Sequence, residues 1–165
     1  FIVHRLDRET SGLMLFAKSE PVKIKLQEFW NETVIDRTYI AVVEGRIKKQ
    51  EGTISSYLSE DKVFKMHSSQ TPKDGKKAIT HFSVLEKNEA YSLLKVNLET
   101  GRKNQIRIHM KEMEHPIVGD KKYDATTNPI KRLGLHAMKI TFIHPVTGGG
   151  MNFESKIPRA FKRLF

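Results

Sequence analysis

Residues 37–45 read RTYIAVVEG, and this stretch decides the class of fold because it follows the period of two that is typical of a β-strand. With that period, Tyr39 lies on the same face as Ala41 and Val43. The tyrosine ring is therefore predicted to lie at one end of an apolar face that packs on the core. The closing Gly45 marks the end of the strand.

Further strands are predicted on both sides of this one. Residues 78–85 and 91–98 flank a short polar turn and indicate an antiparallel hairpin, with an inner face formed by Leu94, Val96 and Leu98. Residues 13–17 are apolar throughout, so we expect a strand that is covered on both faces. The remaining predicted strands are residues 52–58, 133–143 and 151–155.

Helices are predicted in three places. Ser19 as N-cap and Pro21 in the first turn are typical of a helix start, and an apolar face continues to about residue 31. A second helix follows Gly101 and carries Arg107 at the edge of its apolar face. The inward residues of this second helix are Ile106, Met110 and Met113. A short third helix is predicted after Pro158.

Residues 59–77 are polar and contain an evident turn at residues 72–75, so we expect a long mobile loop there. Its lysines either contact phosphate groups or are simply solvated. These lysines are Lys62, Lys65, Lys73, Lys76 and Lys77. Because no repeat or linker divides the chain, the pattern predicts one α+β domain with a mixed, mostly antiparallel sheet flanked by helices.

The composition narrows the class of protein. The chain has 165 residues, of which 38% are apolar, which is enough for one domain with a core. It contains no cysteine, so disulfide scaffolds and thiolate metal sites are excluded, and we expect a reducing compartment such as the cytoplasm. No apolar run reaches the roughly 18 residues of a membrane span, so no membrane partner is predicted.

The net charge of +10 points to a polyanionic partner, because lysine and arginine occur along the whole chain. Nucleic acid is the first candidate, and acidic lipid is the second, since no long basic amphipathic helix is present. A basic protein without any polyanionic partner is the alternative. We expect the chain to be a monomer.

Residues 4–12 read HRLDRETSG, which places the carboxylate of Asp7 between Arg5 and Arg8. Two positive neighbours favour the charged form of a carboxylate, which makes it a poor general acid and a usable nucleophile or electrostatic anchor. Thr10 and Ser11 can bond loop amides, so an aspartate that only caps its own loop is the alternative. No second carboxylate can be assigned to Asp7, which weakens a hydrolase with paired acid and base.

The same stretch resembles the HRLDxxTSG signature of the RluA-type pseudouridine synthases. Four later segments are similar to further motifs of that family and come in its order: RTYIAVVEG, ETGRKNQIRIH, HPIVGDKKY and LHAMKITFIHPVTG. The resemblance covers nearly the whole chain. It implies an enzyme that detaches uracil from its ribose in RNA and rejoins it through a carbon, with no metal or organic cofactor.

The resemblance also implies roles for individual residues. Asp7 matches the catalytic nucleophile, whether it attacks the sugar or the base or forms a glycal. Tyr39 matches the aromatic residue that lies against the target base and assists proton removal, and Arg107 matches the partner of the carboxylate. Arg5 matches the residue that fills the gap left by a flipped base. Further RNA contacts are expected from Arg8, Arg102 and Leu135.

Large-subunit ribosomal RNA is the substrate that the resemblance implies first, with transfer RNA as the rival. Residues 1–165 are expected to be part of a catalytic domain that lacks an upstream segment and any N-terminal RNA-binding domain. Two positions depart from the family pattern. Asn104 replaces a usual His and is expected to be structural, and Asp124 replaces a common Gly, which alters a turn.

Overall fold

The centre of the structure is a mixed β-sheet, described here from a computed structural model covering residues 1–73 and 75–165. Over those residues the sheet has eight strands. They are β1 (Ser11–Gly12), β2 (Val34–Glu44), β3 (Glu51–Glu60), β4 (Met66–Ser69), β5 (Lys76–Lys87), β6 (Tyr91–Leu98), β7 (Leu135–Ile143) and β8 (Gly150–Glu154). The helices are α1 (Glu20–Glu28), α2 (Trp30–Thr33), α3 (Gln105–Glu112) and α4 (Arg159–Lys162), with a 3₁₀ turn at Lys121–Tyr123.

The predicted strand at residues 37–45 lies in the interior of the sheet. This strand, β2, pairs antiparallel with β6 on one side and with β7 on the other. The order across the sheet is β1, β7, β2, β6, β5, β3 and β4, and β8 also pairs with β7. Only the pairing of β1 with β7 is parallel, so the predicted α+β class with a mostly antiparallel sheet is confirmed.

One face of the sheet carries the main core. Ala41 and Val43 of β2 and Leu94 of β6 are buried there, and Ile106 and Met110 of α3 cover them. Burial of each of these side chains other than that of Ala41 contributes about 1.5–3 kcal/mol. The predicted inward faces of β2, β6 and α3 are confirmed. The opposite face is covered by the C-terminal segment, through Phe161 of α4.

The prediction of a doubly covered strand at residues 13–17 is wrong. Only Ser11 and Gly12 pair with β7, and the apolar run then leaves the sheet edge, with a single bridge between Phe16 and Ile2. Met14 is 37% exposed and Phe16 57% exposed. An apolar run shows that a segment is hydrophobic, but it does not show whether the segment pairs with neighbouring strands or is covered on both faces.

The prediction of a mobile loop at residues 59–77 is also wrong. Met66–Ser69 form β4, which pairs antiparallel with the end of β3, while Lys76 and Lys77 begin β5. Met66 anchors this hairpin because it is buried in a cluster with Tyr123. The predicted turn at residues 72–75 has a hydrogen bond from the Gly75 amide to the Pro72 carbonyl, while Asp74 lies outside the described residues.

A buried histidine joins α3 to the sheet. His109 is completely buried, with Nδ1 at 2.7 Å from Thr80 Oγ1 and Nε2 at 3.0 Å from Ser56 Oγ. Burial lowers its pKa from 6.5 to about 4. The folded protein therefore binds this proton less readily than the unfolded chain does.

We expect the stability that neutral His109 contributes to be present above pH 6.5 and to be lost as the pH falls towards 4. At about 1.4 kcal/mol per pH unit, the loss is about 3 kcal/mol. Urea unfolding of the wild type and of His109→Gln at pH 7 and pH 4 measures it, because the variant lacks this titration. An equal pH dependence in both proteins would contradict the prediction.

Candidate active site

A pocket of about 470 Å³ opens where the segment before β1 meets β2 and the start of α3. Asp7, Tyr39 and Arg107 all line it, although Asp7 and Arg107 are 100 residues apart in the sequence. Each comes from a different element, a loop, a strand and a helix. The structure thus brings together the three residues that the sequence resemblance assigned to catalysis.

Arg107 lies between two carboxylates. Its Nε and one Nη donate to the two oxygens of Asp120, both at 2.8 Å, and Nη1 lies 3.4 Å from Oδ2 of Asp7. The Asp120 side chain has no exposed surface, whereas that of Asp7 is 23% exposed. Asp120 therefore fixes the guanidinium by a bidentate pair, and the looser contact leaves Asp7 accessible from the pocket.

The electrostatics of Arg107 follow from this arrangement. Burial works against its charge, but the hydrogen bonds and charge of Asp120, followed by those of Asp7, raise the pKa of the guanidinium. The guanidinium also lies 5.1 Å from the ring centroid of Tyr123. Arg107 is therefore a permanently charged group with a fixed direction. In contrast, Arg5 and Arg8 form no ion pair with Asp7 among the described residues.

The start of α3 explains why Asn104 stands where the family usually has His. Asn104 has a φ of +53°, a left-handed conformation that asparagine tolerates better than most residues. Its buried side chain accepts a hydrogen bond from the Tyr123 hydroxyl at 3.0 Å. These contacts agree with the predicted structural role. Asp124 also has a positive φ, of +68°, which fits a position where glycine is common.

Tyr39 forms one wall of the pocket beside Arg37. Burial raises the pKa of the Tyr39 phenol, Arg37 lowers it, and the charge of Asp7 raises it further. The phenol is therefore neutral near pH 7. Arg37 is held close to Gly101, where an added Cβ would lie 2.3 Å from its Nη1, so the glycine makes room for the guanidinium.

The other predicted RNA-contacting residues are spread around this pocket. Arg5 is exposed and lines it, and Leu135 lines it while its side chain is buried in the main core. Arg102 is exposed at the mouth, and its Nε donates to the Lys77 carbonyl at 3.1 Å. Arg8 is exposed and does not belong to the pocket lining.

The loop that carries Asp7 is fastened to β7. Gly12 has a φ of +119°, and a Cβ there would lie 2.1 Å from the Ala137 carbonyl oxygen, so only glycine permits this approach. Next to it, the Ser11 hydroxyl accepts from Arg132 at 2.6 Å and donates to Nδ1 of His136 at 2.7 Å. Burial and then the charge of Arg132 lower the pKa of His136, which favours this neutral acceptor.

One polar atom of the pocket has no partner. The Oγ1 atom of Thr10 is buried, yet it makes no hydrogen bond to any described part of the protein. Thr10 lines the same pocket as Asp7, and its amide donates to the Asp7 carbonyl at 2.9 Å. Because buried hydroxyls are nearly always paired in native proteins, this atom can bond either an ordered water or a molecule bound in the pocket.

Sequence reasoning missed two parts of this site. It assigned no role to Asp120, although HPIVGDKKY was among the matched segments, because nothing local says that its carboxylate meets Arg107. It gave Arg37 no role beyond the basic residue that opens RTYIAVVEG. The signal for Arg37 was the tyrosine two positions later, since residues i and i+2 share one face of a strand.

Residues 1–73 and 75–165 contain neither a metal-binding cluster nor a membrane-spanning helix. No group of three or more His, Asp or Glu side chains in that part of the chain is arranged to hold a metal ion. None of the helices there has the length and apolar character that crossing a bilayer demands.

Comparisons with known proteins agree with this site. The family model described as RNA pseudouridylate synthase matches residues 1–112. The uncharacterized RNA pseudouridine synthase YjbO of Bacillus subtilis is 39% identical over 99% of this chain and 57% of its own length. The ribosomal large subunit pseudouridine synthase D of Neisseria meningitidis is 40% identical over 95% of this chain and 45% of its own. The chain thus spans about half the length of these curated relatives.

The fold is shared with solved structures. Human RNA pseudouridylate synthase domain containing 1 superposes with a TM-score of 0.80 at 25% identity, over 94% of this chain and 68% of the human chain. The family match covers more than half of the chain and includes Asp7, Tyr39 and Arg107. The chain therefore belongs to the RNA pseudouridylate synthase family, and the relatives named pseudouridine synthase D support the RluA-type resemblance.

Proposed function

We propose that this chain carries the catalytic site of an RNA pseudouridine synthase, with Asp7 as the nucleophile. The observation that carries the proposal is the position of the Asp7 carboxylate, accessible in a pocket and faced by the fixed guanidinium of Arg107. The reaction breaks the bond between ribose C1′ and uracil N1 and forms a bond from C1′ to uracil C5. The C5 proton leaves and N1 gains a proton, so atoms balance without an oxidant or reductant.

The target uridine reaches this pocket only if it leaves its helix, because a carboxylate cannot reach a stacked base. Arg5 lies at the pocket and is proposed to occupy the vacated place, where a guanidinium can stack and pair. Tyr39 is proposed to lie against the extruded uracil. Its raised pKa keeps the phenol protonated, so Tyr39 contributes an aromatic surface to this contact, and assistance in proton removal stays a prediction.

Large-subunit ribosomal RNA is the proposed substrate, supported by the names of the relatives from Neisseria, Pasteurella and Haemophilus. Transfer RNA is the alternative. The exposed arginines Arg8 and Arg102 are proposed to bind phosphates, in keeping with the net charge of +10. Residues 1–165 are proposed to be part of the catalytic domain of this enzyme, acting as a monomer in the cytoplasm.

A tritium-release assay tests the proposed reaction. Total RNA labelled with tritium at uracil C5, from a strain that lacks the gene, is incubated with the full-length protein. Isomerisation replaces the C5 hydrogen, so we expect tritium in water and no free uracil. Free uracil would indicate a hydrolase instead, and bound but unchanged RNA would indicate a binding module without activity. Sequencing the modified positions then identifies the RNA.

The unpaired hydroxyl of Thr10 yields a separate prediction. Thr10→Val removes Oγ1 at constant shape, so we expect the free energy of unfolding to stay equal or to rise by about 1 kcal/mol. If the hydroxyl bonds the bound nucleotide, kcat/KM for RNA falls about threefold to tenfold.

Thr10→Ser is the matched control for that prediction, because it keeps the hydroxyl and should keep both values near those of the wild type. Urea unfolding and tritium release measure the two effects. Unchanged kcat/KM in Thr10→Val would show that Oγ1 faces no substrate atom.

A further inference from the structure

The turn between β3 and β4 presents an apolar tip to solvent. Val63 is 78% exposed and Phe64 is 71% exposed. Both lie in the turn of the hairpin, just beyond its last strand pair, which is Glu60 with Met66. The two exposed residues are adjacent and are flanked by Lys62 and Lys65, so they form a small apolar patch with a charged rim. An apolar patch with a polar rim is a candidate contact surface.

One carboxylate bonds the backbone of the tip at two positions. Oδ1 of Asp61 accepts from the amides of Val63 and Lys65, both at 2.9 Å, and Oδ2 accepts from His67 Nε2 at 2.7 Å. These hydrogen bonds, with that of His67 the largest, lower the pKa of Asp61. Phe64 has a φ of +60°, which bulky residues rarely adopt, so the turn holds the ring outward despite the backbone preference.

Two lysines contact Phe64, one at the ring and one at the carbonyl. Nζ of Lys103 lies 5.4 Å from the Phe64 ring centroid, and Nζ of Lys122 donates to the Phe64 carbonyl at 3.2 Å. Lys62 and Lys65 flank the ring in sequence, and Lys103 also pairs with Glu60. An apolar ring among lysines complements a nucleotide, which has a flat base and a charged phosphate. A second copy of this chain, carrying the same +10 charge, is a poor match for this surface.

The tip is continuous with the pocket that contains Asp7. Lys103 lies over the ring and also lines the pocket, and Lys122 donates both to the Phe64 carbonyl and to Asn104, another lining residue. Lys103 thus links the Phe64 ring to the pocket wall. We therefore expect an RNA strand with one nucleotide in the pocket to pass close to this ring.

We propose that Phe64 is a stacking platform for an unpaired base of the RNA substrate near the target uridine, with Lys62, Lys65, Lys103 and Lys122 holding the adjacent phosphates. This inference rests on the proposed function for the identity of the bound RNA. Stacking on a ring has little dependence on the identity of the base. The platform therefore binds an unpaired nucleotide and adds affinity without reading the sequence.

Affinity measurements with the full-length protein test the platform. The probe is a single-stranded cytidine decamer with one central uridine, and its dissociation constant is measured by fluorescence anisotropy. We expect Phe64→Leu to bind about tenfold more weakly and Phe64→Trp to bind at least as tightly as the wild type. Phe153→Leu is the matched control, because Phe153 is an exposed ring on β8 that lies outside the pocket lining.

Phe64→Asn separates binding from folding. Asparagine accepts a positive φ more readily than phenylalanine, so the midpoint of thermal unfolding should stay equal or rise while RNA affinity falls. If the ring instead stabilised the fold, Phe64→Asn would lower the midpoint of thermal unfolding. Photocrosslinking adds a direct readout: in decamers with 5-iodouridine at successive positions, we expect the crosslinked peptide of the wild type to contain Phe64.

The outcomes distinguish this inference from the proposed function. Equal affinities for the wild type and Phe64→Leu, with crosslinks elsewhere, would overturn the platform even if tritium is released. Phe64-dependent binding without tritium release would keep the platform and overturn the isomerase. A change of sedimentation in Phe64→Asn at constant RNA affinity would assign the tip to contact between proteins and also overturn it.

Discussion

Asp7→Asn is expected to abolish tritium release from uracil C5, with a loss of at least about a thousandfold in kcat. Asparagine keeps the size of the side chain and the hydrogen-bond acceptor that faces Arg107 at 3.4 Å, but it cannot act as an anionic nucleophile. The fold should persist, because the Asp7 side chain is partly exposed and Asp120 still neutralises Arg107.

Binding distinguishes catalysis from loop capping at Asp7. We expect the RNA affinity of Asp7→Asn to stay within about threefold of the wild type, because the proposed phosphate contacts come from lysine and arginine. Glu9→Gln is the matched control in the same loop, since Glu9 is exposed and lies outside the pocket lining. A large loss of affinity or stability in Asp7→Asn would mean that the carboxylate supports the loop rather than the reaction.

Arg107→Met is expected to cost about 3–5 kcal/mol in the free energy of unfolding, because it leaves the carboxylate of Asp120 buried without a counter-charge. It also removes the positive group beside Asp7, so activity should be lost. Urea unfolding and tritium release measure the two losses.

If Arg107→Met alone does not fold, a double variant still tests whether Arg107 is needed for activity. In Arg107→Met with Asp120→Leu, the buried ion pair is replaced by apolar groups, which is often neutral for stability. We expect stability to recover and activity to stay absent. Recovery of activity together with stability would show that Arg107 serves only the fold, and a stability of Arg107→Met equal to the wild type would contradict the burial argument.

The strands with a clear local pattern were predictable from the sequence. RTYIAVVEG has its inward residues at every second position, and the same residues meet the core in the structure, so local pattern and tertiary environment agree. The helix with Ile106 and Met110 was predictable for the same reason. The resemblance, rather than periodicity, predicted that Asp7, Tyr39 and Arg107 share a site.

Other features depend on contacts between distant segments and could not be read locally. The segment after Gly12 is apolar, but its course follows from one close approach to Ala137. The β4 strand has little alternation and forms because Met66 is buried beside Tyr123. Asp120 lies in a segment punctuated by Pro and Gly, and only the fold places its carboxylate against Arg107.

The parallel pairing of β1 with β7 has a consequence for synthesis of the protein. Ser11 contacts His136, 125 residues further along the chain, so the loop with Asp7 has no fixed geometry until β7 has been translated. A contact between residues so far apart forms late in folding. Closing the long loop between them reduces chain entropy, and this loss is offset only by contacts that form afterwards. On a nascent chain, the geometry around Asp7 can therefore form only after β7, and with it most of these 165 residues, has been translated.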